Sequence, residues 1–481
     1  KMLYTDISGI RSVDASNNLG EYSIAIGKNT NCVASGDHSI AFGGASGATR
    51  ATGKSSFAMG PVSEALADYA LAFGESNIAQ GKWSVAMGGA GTIAQEEYSV
   101  AIGSGRAYTE KGIAIGYQSD AGTLSGPATA NNIAIGVASI ASANNAIAIG
   151  NNNTAGGNGA ISIGVDCSGS GSNVTAMGID ARSAGVASVA MGNNTYALGI
   201  GDQNDFSNGE PNKVGAIAIG TDCSAVGAGA IAMGKYCDAS GNFSISMGSG
   251  DAYAGTGYQK ADGDNSIAMG FKNSALTNFS IAMGKNSLAN GPGAMAFGND
   301  CESAGTESVA MGVGSSAFGD HSLAVGNGVE AHGMTSVALG RNTQTQYLSQ
   351  TVVGQYNKLD TVIPGNSTTT QYPDNKIFVV ANGNGIASDP MQYHNAFQIW
   401  NSGRTDISGV SGEAIFDVSN GVFELKSRDL ARILVNDVGF GAGRIKLNVI
   451  DADPNSSYEY NPGLTLNGNS TADAQQMNGY V

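Results

Sequence analysis

Two short runs of the sequence hold the residue types of a hydrolytic relay: Asp37-His38-Ser39 and Asp320-His321-Ser322. A serine nucleophile needs a base and an orienting acid that converge on one point. Three consecutive residues in extended chain project to alternating sides, so neither run forms a relay without an unusual turn. The position before that serine is filled elsewhere by Tyr22, Tyr69, Trp83, Tyr98, Phe243 and Phe279. Histidine there reads as one more bulky residue at a bend.

Those bend residues offer a different chemistry. Equivalent positions in successive repeats would stack into a ladder, and Trp83, flanked by Tyr69 and Tyr98, could present an aromatic strip to a glycan. Aromatic faces give large contact area at low entropy cost. The competing reading is that they pack across a subunit interface, where aromatics are also enriched.

Asp251, Asp262 and Asp264, in the stretch 248–265, could offer oxygen ligands to calcium. Their spacing matches no calcium loop, so a solvated acidic loop is expected, and no metal or other cofactor. GFGAGR at 439–444 imitates a phosphate loop, but no helix pattern follows it and chance matches are expected in so glycine-rich a chain. Cys32, Cys167, Cys223, Cys237 and Cys301 are odd in number and lack CxxC pairing, so they read as unpaired thiols rather than a zinc site or staples. Unpaired thiols fit assembly in a reducing compartment.

The elements that position all of these come from one recurring phrase. SIAIG ends at Gly27, SIAFG at Gly43, SFAMG at Gly60, ALAFG at Gly74, SVAMG at Gly88 and SVAIG at Gly103, and the phrase continues to Gly354, mostly in steps of fourteen residues. A weaker half-repeat lies between phrases, as in NCVASG, SNIAQG and NSLANG. Each repeat thus holds two short extended pieces separated by glycine or asparagine turns, the period of one solenoid coil.

Within the phrase, Ile and Met lie two apart and share one strand face, while Ser and Ala share the other. The expectation drawn from this is that the large residues fill the coil and alanine faces outward, leaving a small-residue surface for close approach by another chain. Some twenty-two coils at about 4.8 Å each would make a rod on the order of 100 Å. So narrow a coil buries too little apolar surface to offset chain entropy alone, which predicts oligomerisation.

Three stretches break the period and should leave the coil as surface loops: the residues before Gly136, those within 196–214, and 248–265. The expected organisation is an N-terminal attachment segment over 1–19, repeats over 20–354, a connector over 355–375, a smaller β domain over 376–455 and a polar tail over 456–481. KIFVVANG and NAFQIWNSG are the strand-like runs that open the β domain.

Composition narrows the function. Glycine supplies 72 of 481 residues, yet 42% of the chain is hydrophobic and regularly spaced, which argues for folding rather than disorder. A formal net charge of -16 without a Lys/Arg cluster disfavours nucleic acid as partner. No run approaches the ~20 apolar residues of a membrane span, so no membrane insertion is expected. A depolymerase would require paired carboxylates in a groove, and carboxylates are sparse on these strands.

The phrase SVAMG or SIAIG at this spacing, with its A-x-G half-repeat, resembles the YadA-like head repeat of trimeric adhesins over residues 20–354. The resemblance implies an all-β, left-handed parallel β-roll solenoid and assembly as a homotrimer. The continuation QTVVGQYNKLD, NKIFVVANGNG and NAFQIWNSG is similar to the segment that follows such repeats in phage and prophage tail-fibre proteins. The sequence lacks the heptad stalk and membrane-barrel anchor of a complete autotransporter adhesin, and its free cysteines fit that secreted family poorly. The resulting expectation is a trimeric virion fibre, joined to other tail proteins and contacting a host glycan or protein receptor. The passenger region of a bacterial surface adhesin is the rival.

Overall fold

The structure, a computed structural model, describes residues 20–27, 32–43, 47–123, 130–200, 215–251, 257–360, 368–388 and 392–407. Among them there is no helix. The chain winds as a parallel β-solenoid of about 21 turns of roughly 14 residues. Each turn contributes one strand to each of two sheets. The phrase builds the first sheet, as in Ile147–Asn151, and the half-repeat builds the second with pieces as short as Thr154–Ala155.

Register is strict from turn to turn: Ile147 lies beside Ile161, Ala148 beside Ser162, Ile149 beside Ile163 and Gly150 beside Gly164. The phrase glycine is required where it stands. Gly164 has φ +134°, and a Cβ on it would sit 1.9 Å from the Gly178 carbonyl oxygen. Only glycine fits a left-handed position that close to another backbone.

The orientation of the strands is the reverse of the expectation. Phrase-centre alanines such as Ala72, Ala86 and Ala148 are fully buried inside the coil, together with half-repeat alanines such as Ala79 and Ala155. The flanking Ile, Val and Met side chains point outward and are half-buried at most positions. The physical reason is width. Two strands of a few residues, folded back to back within fourteen residues, leave room between the sheets only for methyl- and hydroxyl-sized groups, and overfilling a close-packed interior is destabilising. The inner positions hold Ala, Ser, Gly, Thr, Asn and Cys almost throughout.

The two outer faces differ. Outside the first sheet runs an aliphatic column through Ile133–Ile135, Ile147–Ile149 and Ile161–Ile163 and on along the solenoid. Outside the second sheet the column is mixed and partly charged, with Arg50 paired to Glu64 at 3.1 Å and Arg106 to Asp120 at 2.6 Å, each across one turn.

Parts of the three irregular stretches, 124–129, 201–214 and 252–256, lie outside the described residues. Val189–Asn193 pairs directly with Ile217–Thr221, so Gly192 and Gly220 lie on adjacent turns. At the far end, Thr351–Gln355 pairs in parallel with Phe378–Asn382, which extends the first sheet. Asn395–Trp400 and Thr405–Ile407 then add antiparallel strands. Polar side chains seal this end: Asp360 accepts from Tyr347 Oη and from the buried Lys376 Nζ, and Asn357 bonds both the N–H and the carbonyl of Gln344. The strands expected beyond residue 407, the GFGAGR run and the terminal segments 1–19 and 456–481 lie outside the described residues.

Candidate functional site

Each passage from the second sheet to the first is a tight corner, and the corner sets what the solenoid presents to solvent. The residue before the phrase's inward Ser or Ala takes a left-handed conformation: φ is +61° at Tyr69, +62° at Trp83 and +60° at Tyr98. Its N–H bonds to the preceding turn, Tyr69 to the Lys54 carbonyl at 2.8 Å, Trp83 to Asp68 at 3.1 Å and Tyr98 to Lys82 at 2.9 Å. Equivalent side chains therefore rise one above another. The Tyr69 and Trp83 rings stack with centroids 3.9 Å apart and an interplanar angle of 3°. Tyr98, one turn on, makes no ring contact among the described residues, and the three side chains are 38%, 43% and 49% exposed in the order Tyr69, Trp83, Tyr98.

The Asp-His-Ser runs occupy the same corner and do not assemble. Ser39 and Ser322 point into the coil and are buried, while His38 and His321 project outward at φ +59° and +56°. Asp37 Oδ1 accepts the Glu21 N–H at 2.8 Å, and Asp320 Oδ1 accepts the Thr306 N–H at 2.9 Å. These aspartates tie adjacent turns together. His38 stacks on Tyr22 at 5.2 Å, and His321 Nε2 lies 3.5 Å from Glu307.

The three acidic candidates have separate engagements. Asp251 pairs with Lys272 at 3.1 Å, Asp262 accepts from Ser240 Oγ at 3.2 Å, and Asp264 Oδ1 accepts the Asn242 N–H at 2.8 Å. Among the described residues no group of three or more His, Cys, Asp or Glu converges on a metal position.

All five cysteines are free and buried inside the coil. Cys167, Cys223, Cys237 and Cys301 share a ladder that sequence reasoning missed. Three residues after most phrase glycines an inward Ser, Asn or Cys caps the backbone carbonyl of the glycine one turn on. Ser139 reaches Gly150 at 3.0 Å, Asn153 reaches Gly164 at 2.7 Å and Cys167 reaches Gly178 at 3.2 Å. These carbonyls belong to strand ends inside a dry coil, where an unmet polar group is costly. Cys223 and Cys237 occupy consecutive rungs, and the contact between the two thiols lowers the pKa of Cys223 and raises that of Cys237. The signal was present as the recurring Ser, Asn or Cys at a fixed offset from glycine.

With this geometry in hand, comparison with known families is direct. Residues 33–50, 51–76, 133–153, 141–166, 212–236, 261–287, 279–300 and 303–328 match the YadA head domain repeat (2 copies). These segments are similar to that repeat, which supports reading the recurring phrase as YadA-like. No curated protein matches the chain.

Proposed function

We propose that this chain is a trimeric fibre protein of a phage tail or related virion appendage, which carries attachment sites for a host surface on a rigid solenoid. The observation that carries the reading is the aliphatic column outside the first sheet. From Ile40 and Phe42 to Val337 and Leu339 it runs in register, uncovered by any other element of the chain among the described residues. An apolar face of that extent on a repeat scaffold calls for sister chains. The alanine face first expected to make this contact is inside the coil, so the contact passes to the Ile/Val/Met face. Function then comes from reach and avidity, since three weak sites on one rigid body bind far more tightly than one. Buried, unbridged thiols favour assembly in a reducing compartment.

The head repeats themselves favour a second reading, the passenger region of a bacterial trimeric surface adhesin. Light scattering on the purified chain, followed by gold labelling of phage particles and bacterial cells, tests both. A threefold mass with label on the particle supports the fibre. A threefold mass with label on the cell envelope supports the adhesin, and a stable folded single chain removes both.

A further inference from the structure

The corner position where Tyr69, Trp83 and Tyr98 sit is a poor place for a large side chain. Left-handed backbone suits glycine and asparagine, and most other turns use them or small polar residues: Asn131, Asn145, Gly159, Asn173, Gly229 and Asn265 occupy it elsewhere. Three consecutive turns nevertheless carry aromatics there, and packing within the chain does not account for them, because each ring remains more than a third exposed. Large exposed aromatic groups with a polar rim mark contact sites.

The rim identifies the ligand class. One residue earlier in the same turns stand Asp68, Lys82 and Glu97, all exposed, although Asp68 Oδ1 also accepts the Lys54 N–H at 2.9 Å. The signs alternate, so the strip offers donors and acceptors side by side with no strong field. That suits hydroxyl and amide groups rather than a polyanion or polycation. Tyr69 and Trp83 cover one face of each other, so the apolar contact falls to their edges and remaining faces, while the Tyr hydroxyls and the indole N–H add polar ends. Turns stack about 4.8 Å apart, so the strip addresses an extended molecule lying along the solenoid.

We propose that Tyr69, Trp83 and Tyr98, rimmed by Asp68, Lys82 and Glu97, bind a linear chain of neutral hexopyranoses or N-acetylhexosamines. This rests on the attachment reading above and names the chemistry of its receptor. Phe243 and Phe279 hold the same corner but stand singly, between glycine and asparagine neighbours, and form no strip.

The test uses the full chain and the variants Trp83→Asn, Tyr69→Asn and Phe279→Asn. Asparagine is native to this corner in other turns, so the fold is retained. Each protein is titrated calorimetrically with β-1,4-linked glucose hexamer, β-1,4-linked N-acetylglucosamine hexamer and hexagalacturonic acid, with solution mass and host-cell attachment measured in parallel. Binding of at least one neutral hexamer is expected, weakened at least tenfold in Trp83→Asn and Tyr69→Asn and unchanged in Phe279→Asn. The site is overturned if neither neutral hexamer binds the native chain, or if only the uronate binds. It is also overturned if Trp83→Asn lowers the solution mass while sugar binding persists, which assigns the rings to a sister chain. Equal cell attachment by native chain and Trp83→Asn sinks the site and leaves the attachment reading standing. Sugar binding lost in Trp83→Asn, with no cell attachment by the native chain, does the reverse.

Discussion

The two sheets of each turn share one interior and differ in what they show outside. Inside, both are lined by alanine, as at Ala148 and Ala155. Outside, the first sheet repeats Ile, Val, Leu, Phe or Met through nearly every turn, whereas the second shows Arg50, Glu64, Ile78, Ile93, Arg106 and Asp120 in succession. The inner surface is fixed by coil width. No such constraint acts on the outer surfaces, so persistent aliphatic character on only one of them is what the proposed contact with sister chains would require.

The strongest way to break this contrast is to put charge on each face in turn. Ile149→Asp with Ile163→Asp is expected to abolish the proposed trimer, whereas Thr154→Asp with Ser168→Asp on the second sheet leaves it intact; light scattering of both pairs decides. If the two pairs behave alike, the asymmetry has no bearing on assembly.

Glycine substitution sharpens the comparison at the level of backbone. Gly164→Ala places a methyl 1.9 Å from a carbonyl at φ +134°, and a loss of about 3 kcal/mol or more is expected from such forced strain. Gly169→Ala, on the second sheet, puts its methyl 3.0 Å from Ser162 Oγ in a slot where other turns already carry alanine, so a change within roughly 1 kcal/mol is expected. Chemical denaturation of the two variants measures the difference.

The capping ladder ranks next. Asn153→Ala removes bonds to the Ile149 and Gly164 carbonyls and to the Cys167 N–H. Leaving such buried groups unmet costs about 1–3 kcal/mol, readable by the same denaturation. The smallest effect belongs to the second sheet's outer face. Burial, and then the neighbouring Asp262, raise the pKa of Asp238. A carboxyl that holds its proton more tightly when folded stabilises the fold at low pH and loses that contribution as pH rises through its folded pKa. Asp238→Asn is therefore expected to raise Tm by a few degrees at most at pH 7, with the advantage vanishing below the ordinary carboxylate range.

The period, the absence of helix among the described residues and the corner role of the histidines were legible in the sequence, because each follows from local spacing. The sense of the strand was not. Alternation tells which residues share a face, never which face is inside. The missing signal lay in how the positions vary along the chain itself. Phrase position two passes through Ile24, Phe57, Leu71, Thr175 and Met295, while the phrase centre stays Ala apart from Ser162, Ser246 and Val352. A site that tolerates Phe and Thr alike is not in a close-packed interior. Similarly, the run KIFVVAN was readable as a strand, but its pairing with Thr351–Gln355 was not, since twenty unperiodic residues separate them and carry no register information.

The stacking of Gly150 on Gly164 and of Gly164 on Gly178 makes neighbouring turns interchangeable parts. Excising one period, such as residues 147–160, joins two surfaces that already fit their new neighbours and shortens the solenoid by about 4.8 Å. Length can thus drift by whole steps through recombination between near-identical segments, while the terminal seal and the corner aromatics keep their own immediate surroundings.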